Sequence, residues 1–238
     1  MLQLDLGVLW SEWGVGILLG FRTTLVLAVL VLAAALVIGT LCGVARWRGP
    51  PWLAGACGAY VGFVRTTPAL VQILFWYFSA SFILPAGIMR ELRDLGFEFI
   101  AAVVALSIYH GAYMTEVVRA ALAAVPKGQV EAAAALGLRF RFIVRKVVFP
   151  QAFRIAMPAL TNEAVGLTKN TSLALAIGVT ELTYQAKMME AYTFRPIEGL
   201  LAATVLYLVV CWAIAGGGAV LSRRLSRHLP AGEGGGGQ

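Results

Sequence analysis

The chain has 238 residues, of which 60% are apolar and 13% charged, with a mean hydropathy of +0.81 and a formal net charge of +7. Soluble domains carry about 25% charged residues, so this composition excludes an ordinary soluble protein. The positive charge does not indicate nucleic-acid binding, because the basic residues lie at the ends of apolar segments and in particular loops. The sequence predicts an all-α membrane protein that forms a single domain over residues 1–238.

Five apolar segments are long enough to cross a hydrocarbon core of roughly 30 Å as helices. The first ends in a basic turn that contains Arg46 and Arg48. The second is interrupted at Thr67–Pro68, which predicts one helix broken in mid-membrane. The glycine-rich tail over 231–238 is predicted to be disordered. The predicted spans cover 14–45, 52–84, 99–123, 152–180 and 199–222.

The charges of the connecting segments predict how the chain is oriented. With five spans, the turn after the first span, the segment 125–150 and the residues after the last span lie on one side, and all are basic. The connections on the other side, 86–98 and 181–198, each carry three acids and two bases and are interpreted as polar loops. The positive-inside rule therefore places the N-terminus outside and the C-terminus in the cytoplasm.

Two polar stretches inside the predicted spans form a candidate substrate site. After Pro68, the free N–H groups of a half-helix would favour a substrate carboxylate. Glu163 and Asn170 are seven residues apart and share a helix face, where Glu163 would bind an ammonium group. The alternatives are a proline kink and hydrogen-bonded contacts between helices, and Lys169 is expected to pair with Glu163. The predicted substrate-binding residues are Thr67, Gln72, Glu163, Asn170, Thr171 and Ser172.

The sequence predicts no catalytic residue and no metal site. Of the two histidines, His110 is interpreted as a buried hydrogen-bonding group, and His228 lies in the basic end of the chain. The three cysteines lie in apolar surroundings and follow no metal or redox spacing. The sequence contains no GxxxxGK[ST] phosphate-binding loop, so this chain is not expected to hydrolyse nucleotide by itself.

The segment 125–150, VPKGQVEAAAALGLRFRFIVRKVVFP, is the longest polar and basic interruption of the apolar sequence. Between Gln129 and Leu138 it predicts a short helix with a run of alanines between two glycines. A water-facing helix of this kind indicates a docking surface. An amphipathic segment that rests on anionic lipid headgroups is the alternative.

The order Glu131–Ala133, three further residues and then Gly137 resembles the EAA loop of bacterial ABC importer permeases. The family pattern continues, after nine residues, with isoleucine, any residue, leucine and proline. Those positions hold Val147, Phe149 and Pro150 in this chain, which keeps their apolar character.

Three further stretches resemble one branch of that family. Residues 67–72, TPALVQ, are similar to the second-span motif of the permeases for polar amino acids. Residues 75–78, FWYF, and residues 169–178, KNTSLALAIG, look most like those of glutamate/aspartate permeases.

The resemblance implies a type I ABC importer permease fold in the bacterial inner membrane. It implies a second permease (the same chain or a paralogue), an ATPase subunit dimer that binds ATP and magnesium, and an extracytoplasmic amino acid-binding protein. Apart from lipid, no further partner and no cofactor of this chain is expected. The implied function is uptake of polar amino acids, glutamate/aspartate or glutamine. The residues implied to couple the ATPase are Lys127, Glu131, Ala132, Ala133, Gly137 and Arg141.

A second class of function is an alternative reading of the same polar residues. A stand-alone secondary transporter or channel, driven by an ion gradient, would use Glu163 and Lys169 as coupling charges. Five spans are few for such a protein, and the EAA-like loop would have no purpose in it.

Overall fold

The computed structural model describes residue 7 and residues 12–226, and every regular element in that part of the chain is helical. The prediction of an all-α protein is therefore confirmed. The tail over 231–238, with its predicted disorder, lies outside the described residues. The α-helices are α1 (Glu12–Arg48), α2 (Pro51–Arg65), α3 (Ala69–Ile83), α4 (Ala86–Asp94), α5 (Phe97–Ala123), α6 (Lys127–Ala135), α7 (Phe140–Ile143), α8 (Phe149–Asn170), α9 (Leu182–Thr193) and α10 (Pro196–Ser226).

Two short segments in the second half of the chain have other helical forms. A π-helical turn, Val144–Val148, joins α7 to α8. A 3-10 helix, Thr171–Ile177, continues directly from the end of α8 and stops at Gly178, which has a φ of 87°. The predicted fourth span, 152–180, therefore consists of most of α8 and this more extended segment rather than one α-helix.

Three helices of the described chain are long and apolar enough to cross a membrane, and they correspond to the first, third and fifth predicted spans. They cover Trp13–Arg48, Phe97–Ala123 and Pro196–Leu225. A fourth candidate arises when α2 and α3 are counted as one bent span. α8 carries three charged residues, Arg154, Glu163 and Lys169, and it is not among the candidates. The count of five spans stays a prediction.

The interruption predicted at Thr67–Pro68 is confirmed by the ends of two helices. α2 ends at Arg65, α3 begins at Ala69, and the two are bent by 105°. Pro68 has extended backbone angles and no N–H group, so it suits the residue that precedes a new helix. A bend beyond a right angle means that α3 does not continue in the direction of α2.

The interpretation of 86–98 and 181–198 as polar loops is wrong, because helices form most of both connections. α4 buries Met89 against the main core, and α9 buries Leu182 and Met189. Their charged residues alternate with apolar ones at helical spacing. Charge content alone therefore gave a misleading signal of irregular structure.

The bundle is organised around the contact between α1 and α5. Gly39 and Gly43 lie one turn apart on α1 and face α5. A Cβ atom on Gly39 would lie 2.5 Å from Met114 Cβ, and one on Gly43 would lie 2.8 Å from Val118 Cβ. Only glycine allows the two backbones to approach this closely, as at other contacts of small residues between membrane helices.

The main core fills the space between α1, α3, α5 and the 3-10 helix. Leu27 and Val31 of α1, Ile73 of α3, Leu106 of α5 and Ala174 of the 3-10 helix are fully buried there. α5 is therefore central, since it contacts α1, α2, α3, α8 and the 3-10 helix.

We expect Gly39→Ala to lower the melting temperature of the purified protein in detergent. The added methyl group must push α1 away from α5, which costs about 1–3 kcal/mol. Gly62→Ala is the matched control, because a Cβ atom at Gly62 of α2 meets no atom within 4 Å. Equal melting temperatures for the two variants would contradict the importance of the α1–α5 contact.

Candidate functional site

The break between α2 and α3 is held by side chains that the sequence assigns to substrate binding. Gln72 is buried, and its Nε2 donates to the carbonyl oxygen of Val64, 3.0 Å away near the end of α2. Thr67 Oγ1 donates to the carbonyl oxygen of Phe63 at 2.9 Å. Both side chains thus satisfy carbonyls that the break releases, as the proline-kink alternative expects. The first N–H groups of α3 have no side-chain cap.

Glu163 and Asn170 lie on one face of α8 and both approach His110 of α5. Asn170 Nδ2 lies 3.2 Å from His110 Nε2, and Glu163 Oε2 lies 3.5 Å from His110 Nδ1. The imidazole is 3% exposed, whereas the Glu163 side chain is 25% exposed. The three residues form a polar cluster with a buried base and an accessible carboxylate. We call it the His110 cluster.

Aromatic side chains connect the His110 cluster to the end of α2. The Tyr109 ring packs edge-on against the imidazole at 5.2 Å, and the hydroxyls of Tyr109 and Tyr113 lie 3.1 Å apart. The guanidinium of Arg65 lies 5.2 Å from the centre of the Tyr113 ring, a cation–π contact. No group of side chains that could hold a metal ion occurs among the described residues.

The remaining predicted substrate residues lie on other faces. Thr171 is fully buried and its hydroxyl donates to Thr168. Ser172 donates to the carbonyl oxygen of Lys169, and both line a separate cavity of about 480 Å³ against Tyr207 of α10. The six residues therefore do not converge on one point. The expected pair between Lys169 and Glu163 is wrong, because Glu163 faces His110 instead.

A buried carboxylate that the sequence assigns to a loop joins three helices. Glu181 caps the N-terminus of α9, where its Oε1 accepts from Tyr184 N at 2.8 Å and its Oε2 from Thr183 N at 2.9 Å. Thr24 of α1 and Tyr207 of α10 donate to Oε2 from 3.4 Å and 2.8 Å. Glu181 is fully buried and lacks a cationic partner among the described residues.

Burial has an electrostatic effect on Glu181. It raises the pKa of the carboxyl group, because desolvation disfavours the charged form, while the donated hydrogen bonds act in the opposite direction. The sequence signal that could have found this residue is an acid directly before an apolar helical pattern, which is typical of a helix N-cap.

α6 forms the helix predicted within the segment 125–150, although it begins and ends earlier than expected. Gly137 follows it with a φ of 75°. Gly137 N donates to Ala134 O at 2.9 Å, and Leu138 N donates to Ala133 O at 3.3 Å. These two bonds form a Schellman motif, for which glycine is the preferred residue. Gly137 therefore turns the chain away from α6.

Five of the six predicted coupling residues are exposed to solvent, and the sixth is not. Ala133 is buried against Val125, Ile143 and Val148 at the base of the bundle. Its assignment to a partner-facing surface is corrected, because its side chain packs inward and anchors the helix. The exposed residues are Lys127, Glu131, Ala132, Gly137 and Arg141.

Contacts at its inner face attach α6 to the start of α8. Ala152 and Ala156 of α8 belong to the same buried cluster as Ala133. Gln151 Nε2 of α8 donates to Gln129 Oε1 of α6 at 2.6 Å. α8 therefore contacts α6 near one end and carries Glu163 and Asn170 towards the other.

A protein-family model for the inner membrane component of binding-protein-dependent transport systems matches residues 35–227. The chain belongs to this family. The matched range includes α6 and all three residues of the His110 cluster. Membership confirms the resemblance expected from the EAA-like loop, and it favours an importer subunit over a stand-alone transporter or channel.

Curated relatives agree on the class of transported molecule and differ in the amino acid. The permease is 37% identical to the glutamine transport system permease protein GlnP of Escherichia coli K12, over 96% of this chain and 99% of that protein. It is 35% identical to the arginine transport system permease protein ArgU of Corynebacterium glutamicum. That match covers 79% of this chain but only 61% of the length of ArgU. It is 31% identical to the glutamate/aspartate import permease protein GltJ of Escherichia coli K12, over 86% and 82%.

Solved structures share the fold. The chain of an amino acid ABC transporter crystallised with histidines has a TM-score of 0.79 and 28% identity, covering 94% of this permease and all of that chain. An inward-facing form of the MetNI methionine ABC transporter has a TM-score of 0.73 at 22% identity. The match again covers 94% of this permease and all of that chain, and at this identity it supports the fold alone. This chain is a permease component of amino acid ABC transporters, a transport subunit rather than an enzyme.

We expect Glu181→Ala to lower the unfolding free energy of the permease by about 3 kcal/mol. The substitution removes a helix cap and leaves the buried hydroxyl of Thr24 and the partly buried hydroxyl of Tyr207 without their acceptor. Thermal unfolding in detergent measures the change. Glu190→Ala is the control, since Glu190 is partly exposed and its ion pair among the described residues is with Lys187 on the same helix. An equal loss in both variants would contradict the role of Glu181.

Proposed function

We propose that this permease forms the membrane path of an ATP-driven importer for polar amino acids in the bacterial inner membrane. The observation that carries the proposal is the placement of α8. This helix contacts the exposed coupling segment near one end and bears Glu163 and Asn170 towards the other. It has 22 residues, so it is about 33 Å long, comparable to the hydrocarbon core.

The proposed assembly contains two permease chains, identical or paralogous, and an ATPase dimer that binds ATP and magnesium. An extracytoplasmic binding protein delivers the amino acid. The exposed surface of α6 supports an ATPase contact, because Glu131 offers a carboxylate to a basic partner and Ala132 permits close approach. The basic segments support the proposed orientation, with five spans, an outer N-terminus and an inner C-terminus.

The proposed substrate path includes both the helix break and the His110 cluster. Glu163 supplies a negative charge, and Asn170 supplies an amide beside it. The uncapped start of α3 offers N–H groups for a carboxylate. Thr67 and Gln72 hold the break open through their bonds to α2. Thr171 and Ser172 contribute backbone groups to the path, because they begin the segment that follows Asn170.

The proposed coupling is mechanical. Closure of the ATPase dimer moves α6. The movement passes on through the Gln129–Gln151 hydrogen bond and through the buried cluster that contains Ala133 of α6 and Ala152 of α8. Because α8 carries Glu163 and Asn170, its movement relative to α5 changes their distances from His110. Reorientation of the substrate path thus follows from a shift of one helix against another.

Gly137→Ala is expected to reduce ATP-driven uptake about fivefold, because a left-handed φ costs an alanine about 1 kcal/mol and distorts the end of α6. Uptake of labelled amino acid into proteoliposomes that contain the full transporter measures the effect. Gly128→Ala is the matched control, since Gly128 is exposed, has no left-handed φ and meets no atom within 4 Å. Equal rates in the two variants would contradict coupling through the end of α6.

Glu131→Lys is expected to leave the fold intact, because Glu131 is exposed, while uptake falls at least about tenfold through charge reversal at the ATPase contact. Copurification of the ATPase subunit and ATP hydrolysis are measured beside uptake. Normal uptake with this variant would remove Glu131 from the coupling surface.

Asn170→Leu is expected to weaken stimulation of ATP hydrolysis by substrate about tenfold, while assembly with the ATPase persists. Asn162→Leu on the same helix is the control, because Asn162 is exposed. Unchanged stimulation in Asn170→Leu would mean that the substrate path avoids the His110 cluster.

A further inference from the structure

The surroundings of His110 determine which of its nitrogens carries the proton. Nδ1 is buried, makes no hydrogen bond to any residue that the structure describes and lies 3.5 Å from Glu163 Oε2. A lone pair on Nδ1 would repel the carboxylate, so the neutral ring must carry its hydrogen there. Nε2 is then an acceptor, and it faces Asn170.

This tautomer fixes the orientation of the Asn170 amide. Only Nδ2 of Asn170 can donate to an unprotonated Nε2, and it lies 3.2 Å away. The amide oxygen therefore points away from the imidazole. His110 thus orients Asn170 directly and holds Glu163 by a long contact.

Four of the predicted substrate residues already use a side-chain donor for the backbone. The hydroxyl hydrogens of Thr171 and Ser172 bond to carbonyls one turn earlier, and that of Thr67 bonds in the same way. The amide of Gln72 donates to Val64. What these groups still offer to a ligand is mainly acceptor capacity, whereas binding a side-chain carboxylate requires donors.

Glu163 itself lacks a close partner. Among the described residues its one ionic contact is the 3.5 Å approach to His110. Lys169 faces a different cavity, and the guanidinium of Arg65 lies over the Tyr113 ring rather than against Glu163, with its N–H groups still able to donate. A carboxylate within a membrane protein is costly without a cation or several donors, so Glu163 is a ready acceptor for a cationic ligand.

We infer that His110 is a positioning residue that presents Glu163 and the Asn170 amide oxygen as acceptors, and that this site therefore selects amino acids with a cationic side chain. The inference rests on the proposed substrate path and deepens it. The α-carboxylate, which every amino acid carries, has Arg65 and the uncapped start of α3 as donors. An acidic side chain, expected from the sequence resemblance, would instead meet the negative charge of Glu163.

Direct binding to the permease–ATPase complex tests the substrate class without the binding protein, which has its own selectivity. Equilibrium dialysis with labelled arginine, lysine, glutamine and glutamate is carried out at concentrations up to the millimolar range. We expect arginine and lysine to bind at least about tenfold more tightly than glutamate. Equal binding of all four amino acids, or tighter binding of glutamate, overturns the inference.

Three variants test the part played by His110. His110→Phe is expected to weaken arginine binding about tenfold, and His110→Gln, which retains a donor and an acceptor, to restore part of the loss. Ser107→Ala is the control, because Ser107 is buried one turn away on α5 and its hydroxyl bonds to no described residue. Equal losses in His110→Phe and His110→Gln indicate a merely structural role and overturn the inference.

A further measurement separates this inference from the proposed function. The complete transporter, with its binding protein, is assayed for ATP-driven uptake of the same four amino acids. If uptake of any of them persists while arginine fails to bind the complex, the inference fails and the importer function stands. If no amino acid is taken up by the assembled transporter, both fail.

Discussion

The close approach of α1 and α5 determines where the polar groups of this permease lie. Gly39 and Gly43 bring the two backbones together beside Met114, and His110 lies one turn before Met114 on α5. The burial of the His110 imidazole within the bundle therefore depends on the contact between the apolar surfaces of α1 and α5. A wider spacing of the two helices would also shift α8, since Glu163 and Asn170 meet α5 at His110.

Two acidic residues show how the same chemical group serves different purposes. Glu181 accepts four hydrogen bonds from three helices and is fully buried. Among the described residues Glu163 has one ionic contact, at 3.5 Å, and it keeps a quarter of its side chain exposed. Buried polar groups stabilise a structure when their partners are complete. The complete set of partners around Glu181 makes it a structural contact between helices, whereas Glu163 keeps acceptor capacity that its neighbours leave unused.

Sequence patterns predicted the features that depend on neighbours along the chain. The helix break at Pro68, the shared face of Glu163 and Asn170, and the turn at Gly137 all follow from local spacing or backbone preference. Contacts between distant residues could not be predicted in this way. His110 meets Asn170 across 60 residues, and Glu181 meets Thr24 across 157. The burial of Ala133 could not be predicted for a related reason, because no spacing reveals which alanine of a run faces inward.

The 3-10 helix after Asn170 has a consequence for movement. Its seven residues extend about 14 Å, whereas the same residues in an α-helix would extend about 10.5 Å. The far end leads through Gly178 to Glu181, which three helices hold in place. If this segment became α-helical, Asn170 would therefore move by about 3.5 Å. The distance between Asn170 Nδ2 and His110 Nε2 is 3.2 Å. A change of the segment between Asn170 and Glu181 from 3-10 to α-helix is thus large enough to separate the Asn170 amide from the His110 imidazole while Glu181 stays in place.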